Sequence, residues 1–100
     1  MVVPIEEVQK LFRGIASTGA VDKAIQDLHD FIQSAAGWDI TDNSKTLPYD
    51  KEKLETAIRS LKNAGVRLPA IPLAEELRGT FDECAVNEIM NRMQQAGCLL

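Results

Sequence analysis

The sequence predicts an all-α protein, either a five-helix bundle or a short right-handed solenoid of helical hairpins, in one domain covering residues 1–100. Three observations lead to this prediction. Apolar residues recur at helical spacing along most of the chain. Aromatic residues make up only 5% of it, so the core must be built mainly from Leu, Ile, Val, Met and Ala. Glycine or proline stands where the periodic runs stop, and the length of 100 residues suits one core.

The first two helices are predicted from their apolar faces. Helix one is expected over residues 4–18, because Pro4 is tolerated in a first helical turn and Gly19 follows as a break. Its apolar residues are Ile5, Val8, Leu11, Phe12 and Ile15. Helix two is expected to end at Gly37, with an apolar face formed by Val21, Ala24, Ile25, Leu28, Phe31, Ile32 and Ala35.

A polar loop over residues 38–49 is predicted to separate helix two from helix three. Asp50 is expected to cap helix three and Gly65 to end it, with Leu54, Ala57, Ile58, Leu61 and Ala64 on one face. Two prolines, Pro69 and Pro72, restrict the start of helix four to residues 69–73. This helix is expected to end at Arg78-Gly79 and to pack through Leu73, Ala74 and Leu77.

Helix five is predicted from a capping box in Thr80-Phe81-Asp82-Glu83, in which the threonine and glutamate side chains satisfy amides at the helix start. Gly97 is expected to end it, and its apolar face consists of Val86, Ile89, Met90, Met93 and Ala96. We expect helices one and two to pack antiparallel, helices three and four to do the same, and helix five to cover the remaining apolar face.

The charge pattern bears on the class of partner. The formal net charge is −4 at pH 7, and the 11 lysines and arginines are scattered along the chain. A phosphate backbone would be repelled overall, which argues against strong non-specific binding of nucleic acid. The sequence has no run of about eighteen apolar residues and no N-terminal apolar targeting segment. A cytoplasmic protein without a membrane partner is therefore expected.

The candidate metal and catalytic residues are few. Cys84 and Cys98 are the only cysteines, His29 is the single histidine, and no CxxC pair is present, so a zinc site is not expected. We predict reduced thiols. No serine or cysteine lies at a motif-like spacing from His29, which favours a structural role for this histidine over general-base catalysis.

Two further ligand classes are also disfavoured. The six glycines are spread along the chain and form no phosphate-binding loop. The window from Asp39 to Asp50 has oxygen-bearing residues at some positions of a calcium loop, but Ser44 replaces the glycine of the sharp turn and Pro48 lies inside it. We therefore predict no cofactor, no metal, no catalytic residues and no small-molecule substrate.

Trp38 is the one residue singled out as a candidate for partner binding. It directly follows the predicted helix stop at Gly37. A bulky apolar residue there commonly packs back on the last helical turn, which would place it at the rim of the core. Tryptophan is also enriched in binding hot spots, which favours a partner-binding anchor. Both interpretations are open from the sequence.

An internal similarity leads to a resemblance. Gly19 and Gly65 are each followed five residues later by Ala-Ile, and each is expected to separate two helices. Residues 8–32 resemble a pentatricopeptide-type repeat in the positions of Leu11, Gly14, Gly19, Val21, Asp22, Ala24 and Phe31. That resemblance implies a helical-hairpin repeat and binding of single-stranded RNA, whereas the related tetratricopeptide repeats imply binding of peptides.

A second resemblance covers about half of the chain. The stretches Leu11 to Ile15, Leu28 to Phe31, Asp39-Ile40 and Leu54 to Leu61 are similar to the small helical region near the C-terminus of the TOG-array microtubule polymerases. That resemblance implies adaptor binding. Taken together, the sequence predicts a non-enzymatic protein-interaction module whose partner is another protein or a peptide helix, with an RNA-binding helical-repeat fragment as the alternative.

Overall fold

The computed structural model of the chain describes residues 4–36 and 49–100, and at residues 35 and 36 it describes the backbone alone. Within these ranges the protein is an all-α bundle, as predicted. Its helices are α1 Ile5–Gln9, α2 Gly19–Ala36, α3 Lys51–Ala64, α4 Ala70–Arg78 and α5 Glu83–Gln95, and a single 3₁₀ turn, Lys10–Phe12, follows α1. The predicted stop at Gly37 and nearly all of the predicted loop lie outside the described residues.

Helix one is shorter than the prediction of residues 4–18. It ends at Gln9, and the 3₁₀ turn continues only to Phe12. Arg13 then leaves the helical region (φ −59°, ψ 132°), and Gly14 adopts a φ of +86°, a left-handed conformation that favours glycine. Gly14 therefore breaks the helical run, although the apolar spacing continues to Ile15.

Gly19 opens α2 and does not end a preceding helix, contrary to the prediction. Thr18 caps this start, because its Oγ1 accepts a hydrogen bond from the backbone N–H of Val21 at 3.1 Å. Of the predicted apolar face, Val21, Ala24, Leu28, Phe31 and Ile32 are buried and Ile25 is partly buried, whereas the side chain of Ala35 lies outside the described part of the chain.

Both predicted ends of α3 are confirmed. The carboxylate of Asp50 accepts a hydrogen bond from the Lys53 N–H at 3.1 Å. At the other end, Gly65 has a φ of +69°, and the Val66 N–H donates to the Leu61 carbonyl at 3.0 Å. This is the Schellman arrangement, which a glycine makes without the strain of a Cβ. The predicted α4 is confirmed as well, with Leu73, Ala74 and Leu77 buried.

The start of α5 differs from the prediction by two residues. Asp82 is the N-cap, and its carboxylate accepts from the Ala85 N–H at 2.8 Å. The Thr80 N–H instead donates to the Leu77 carbonyl at 3.0 Å, in the turn that ends α4. The predicted capping box is therefore wrong. The predicted apolar face of α5 is present: Val86, Ile89 and Met93 are buried, and Met90 and Ala96 are partly buried.

This assignment of the cap predicts a difference between two alanine variants. Asp82→Ala should lower the free energy of unfolding by about 1 kcal/mol, because the first turn of α5 loses its side-chain acceptor. Thr80→Ala should change it by less than about 0.5 kcal/mol, since no side-chain cap is lost. Urea denaturation followed by circular dichroism measures both. A larger loss of stability for Thr80→Ala than for Asp82→Ala would support the predicted capping box instead.

The predicted contact between helices one and two is present, whereas helix three pairs differently from the prediction. The most extensive contact joins α2 to α3, while α1 packs on α2 and α4 packs on α5. Late in α2, Phe31 contacts Tyr49 just before α3, whereas Asp27, one turn earlier in α2, is hydrogen-bonded to Ser60 near the end of α3. The two helices therefore run antiparallel. The predicted hairpin of helices three and four is wrong, because α3 packs mainly on α2.

A short backbone pairing fixes the last residues of the chain beside the α3–α4 connection. The Leu68 N–H donates to the Cys98 carbonyl at 2.8 Å, and the Leu100 N–H donates to the Leu68 carbonyl at 2.9 Å. These two bonds make a parallel bridge between Leu68 and Leu99. Both Leu68 and Cys98 are fully buried. The tail, which we define as Cys98 to Leu100, is thus part of the bundle.

Glu76 on α4 provides a test of its burial and of the charges around it. Burial, together with the negative charge of Glu7, raises the pKa of the Glu76 carboxyl, and Lys10 opposes this. The charged form is therefore disfavoured by folding, so stability should rise as the pH falls from 7 through the folded-state pKa and level off below the lower, unfolded-state pKa.

We expect Glu76→Gln to raise the free energy of unfolding at pH 7 by a few tenths of a kcal/mol, after allowance for solvent screening, and to remove this part of the pH dependence. Glu75→Gln, an exposed neighbour with the same change in charge, is the matched control. Urea denaturation at pH 7 and at pH 4.5 measures both variants. If both variants changed the free energy of unfolding equally at both pH values, the partial burial of the Glu76 carboxyl would be contradicted.

Candidate functional site

The residues singled out from the sequence do not form a reactive centre in the described part of the chain. Trp38, the predicted partner-binding candidate, lies outside the described residues, as does most of the window considered for calcium. Asp50, the last residue of that window, caps α3. The His29 side chain is 17% exposed, and its Nδ1 lies 3.7 Å from the Asp30 carboxylate. This contact is an ion pair only when the imidazole is protonated.

The two cysteines are free and lie in different surroundings. Cys84 is exposed, and Cys98 is buried, with its Sγ 3.9 Å from the Ile58 carbonyl oxygen to which it donates. Burial raises the pKa of the Cys98 thiol, and the positive charge of Lys62 opposes this. A buried thiol with a raised pKa is a poor nucleophile. Among residues 4–36 and 49–100, no three His, Cys, Asp or Glu side chains are grouped to hold a metal ion.

An aromatic cluster with a polar edge holds α2, α3 and α5 together. The Phe31 ring stacks on Phe81 at a centroid distance of 5.3 Å and meets Tyr49 edge-on at 6.3 Å. The Tyr49 hydroxyl donates to Glu88 Oε1 at 2.7 Å, and Arg92 Nε lies 3.7 Å from the same oxygen. Burial and the hydrogen bond to Glu88 raise the pKa of the Tyr49 hydroxyl. The Tyr49 hydroxyl and the Arg92 guanidinium both interact with the Glu88 carboxylate. These mutual contacts indicate a structural role for the three side chains.

The surface offers a better candidate, a groove between the start of α4, one side of α5 and the tail. Its volume is about 480 Å³. We call it the α4–α5 groove and define it by its lining residues, which are Ala70, Asn87, Met90, Asn91, Gln94, Leu99 and Leu100. Four of the seven side chains are apolar, three carry a carboxamide, and none is ionisable. The described surface is otherwise rich in charged side chains.

Two large apolar side chains stand out in the part of the chain that the structure describes. Leu100 is 80% exposed and Ile71 is 74% exposed. Leu100 lines the α4–α5 groove, and Ile71 follows the lining residue Ala70 in the first turn of α4. An isolated exposed leucine needs no explanation, but apolar groups gathered at a groove without ionisable side chains indicate an interaction site.

A second groove lies on the other side of Leu100. It has a volume of about 440 Å³ and is lined by Ile15, Ala16, Thr18, Val21, Ala64, Gly65, Val66, Arg67 and Leu100. We call it the Arg67 groove, after its one charged lining residue. Because Leu100 lines both grooves, they are adjacent. Together they make a face with one cation and no carboxylate side chain, on a chain whose formal net charge is −4.

A third depression, on the outer side of α3, has a different character. It is lined by Glu55, Ile58, Arg59, Lys62 and Asn63, so three of its five residues are charged. Charged residues are depleted at the centres of protein interfaces, whereas apolar residues are common there. The α4–α5 groove therefore suits a protein partner better than this depression does.

Comparisons of the chain with protein-family models, with curated proteins and with solved structures gave no match. The pentatricopeptide-type and TOG-array resemblances consequently stay predictions. Within the described residues, none of the helices is both long and apolar enough to cross a membrane. The case for a function rests on the geometry of the grooves.

Sequence reasoning did not find the α4–α5 groove. The sequence places Met90 on the apolar face of helix five, whereas in the structure Met90 is only partly buried and lines the groove. One signal was present in the sequence. Asn87, Asn91 and Gln94 recur at i, i+4 and i+7, which places three carboxamides on one stripe of α5.

Proposed function

We propose that this chain is a non-enzymatic protein-interaction module that binds another protein through the α4–α5 groove. The observation that carries the proposal is the position of Leu100, the most exposed of the large apolar side chains in the described residues, in the wall of a groove without ionisable lining side chains. Burying a side chain of this size on binding is worth about 1.5–3 kcal/mol.

The composition of the groove supports a protein ligand. The fully buried centre of a protein interface is apolar and depleted in charge, and a few large side chains there carry most of the binding energy. Leu100, Leu99 and Met90 supply apolar surface. The neighbouring Arg67 supplies one cation that a carboxylate at the rim of a partner would complement.

The alternative of an RNA-binding fragment has less support. Binding to a phosphate backbone depends on several lysine and arginine contacts and weakens steeply with salt. The α4–α5 groove has no cation, the Arg67 groove has one, and the formal net charge is −4. Stacking of bases on aromatic side chains is the other common means of binding single strands, and neither groove is lined by an aromatic residue.

The proposal is tested by comparing capture from cell extract by the wild-type chain and by two variants, Leu100→Asp in the groove and Ile71→Asp next to its lining residue Ala70. Ala20→Asp is the matched control, because Ala20 is an exposed apolar residue on α2 that lines neither groove. A captured protein is then purified and its dissociation constant for each variant is measured by calorimetry, with nuclease present. Circular dichroism confirms that all variants are folded.

We expect the wild type and Ala20→Asp to bind the purified partner equally, and Leu100→Asp to weaken binding by about 30-fold or more, the size of a hot-spot residue. Equal binding by all four proteins would contradict the assigned surface. Binding that disappears with nuclease and falls with salt would support the RNA alternative instead.

A further inference from the structure

The backbone of the tail presents one unused hydrogen-bonding edge. The Cys98 C=O and the Leu100 N–H are bonded to Leu68, and in a parallel bridge the N–H and C=O of the residue between them point the opposite way. The N–H and C=O of Leu99 therefore face away from Leu68, and no backbone hydrogen bond joins them to another described residue. Leu99 itself lines the α4–α5 groove and does not line the Arg67 groove.

The carboxamides of the groove provide matching side-chain groups. No hydrogen bond joins the side chains of Asn87, Asn91 and Gln94 to the described residues. Each carboxamide has both donors and an acceptor, as a peptide bond does. With a rise of about 1.5 Å per residue, Asn87 and Asn91 are about 6 Å apart along α5. Residues i and i+2 of an extended chain are about 6.6 Å apart, so this spacing is similar to that of the two asparagines.

These groups distinguish between two forms of partner. A helix satisfies its own backbone N–H and C=O groups and meets a groove only through side chains. An extended segment has unsatisfied backbone groups along its whole length and needs partners for them when it is buried. The Leu99 edge and the three carboxamides supply such partners, whereas a docked helix would cover them without compensation.

We infer that the α4–α5 groove binds an extended, uncharged and mainly apolar segment of a partner protein, which adds as a strand beside Leu99. This inference rests on the proposed function and replaces the peptide helix expected from the sequence. The backbone of the segment pairs with the Leu99 N–H and C=O on one side and with the α5 carboxamides on the other. Its apolar side chains cover Met90 and Leu100, and the absence of ionisable side chains from the lining disfavours charged side chains at the centre of the segment.

The test uses a displayed library of random twelve-residue peptides, selected on the full wild-type chain and counter-selected on Leu100→Asp. The tightest peptide is then synthesised with one backbone amide N-methylated at a time, which removes one N–H donor per variant. We expect alternate positions to respond, with losses of about 10-fold where the N–H is paired and less than about 3-fold at the positions between them.

Two variants of the chain and a matched control test the carboxamides. Asn91→Leu and Gln94→Met remove a carboxamide with little change in size, and we expect each to weaken binding of the same peptide by about 5- to 10-fold. Gln95→Met makes the same substitution at the adjacent exposed position, which does not line the groove. It should leave the dissociation constant unchanged.

Two results would overturn the inference, and they differ in what they mean for the proposed function. In the first, the selected peptides require residues at i, i+3 and i+4, gain a helical circular dichroism signal on binding and tolerate N-methylation at every central position. The groove would then bind a helix, so the inference would fail and the proposed function would stand. In the second, no selected peptide depends on Leu100 for binding, and the partner captured from extract binds Leu100→Asp as tightly as the wild type. That result would contradict both the inference and the proposed function.

Discussion

Phe31→Ala should lower the free energy of unfolding by about 3–5 kcal/mol, the range for deleting a buried phenylalanine. Phe31 is fully buried, stacks on Phe81 just before α5 and meets Tyr49 just before α3. Its removal leaves a cavity where three helices converge, and the rings on both sides lose their contact. Urea denaturation, followed by far-ultraviolet circular dichroism, measures the change.

Ile71→Ala is the control for this prediction, because it also truncates a large apolar side chain, but one that is 74% exposed. It should change stability by less than about 0.5 kcal/mol. A loss below about 1 kcal/mol for Phe31→Ala would mean that the aromatic cluster is not at the centre of the core.

Removal of Cys98, Leu99 and Leu100 should lower the free energy of unfolding by about 2–4 kcal/mol. The loss includes the buried Cys98 side chain, the partly buried Leu99 side chain and the two hydrogen bonds to Leu68. Leu68 is fully buried, so its N–H and C=O would also lose their partners. The same denaturation experiment measures this loss.

Leu100→Ala is the control that separates the contribution of the Leu100 backbone to stability from that of its side chain. It retains the hydrogen bond from the Leu100 N–H and removes a side chain that is 80% exposed, so stability should change by less than about 0.5 kcal/mol. If the truncated chain were as stable as Leu100→Ala, the tail would not be part of the fold and the wall that it gives to the α4–α5 groove would be in doubt.

The helix boundaries that sequence rules predict well are those set by local chemistry. Asp50 caps α3 through its own side chain, and Gly65 ends that helix because it takes a positive φ at little cost. Pro69 limits where α4 can begin, and it is the N-cap of that helix. Each of these residues acts within one turn of its own position.

The predicted helix boundaries that are wrong, the end of helix one and the start of α5, depended on a choice between two local conformations. The apolar spacing of helix one runs through Gly14, but a left-handed glycine at that position ends the helical run. Thr80 and Asp82 are both good N-cap residues, and the turn that ends α4 uses the backbone of Thr80, leaving Asp82 to cap α5. Propensity alone does not rank such alternatives.

Helix pairing and the candidate site depend on contacts distant in sequence. Leu68 pairs with Cys98 and Leu100, thirty and thirty-two positions away, and α3 packs mainly on α2. The groove arises because this pairing places Leu99 and Leu100 beside α5. The stripe of carboxamides on α5 is visible in the sequence, but its meaning depends on the backbone edge that the fold brings next to it.

The most direct test of the assigned surface is a nuclear magnetic resonance titration of the isotope-labelled chain with the partner protein purified by capture. The α4–α5 groove predicts the largest changes in chemical shift at Ala70 and Ile71, at the side-chain amides of Asn87, Asn91 and Gln94, and at the backbone of Leu99 and Leu100. Changes confined to the outer side of α3 around Arg59 and Lys62, with the groove resonances unmoved, would contradict the account.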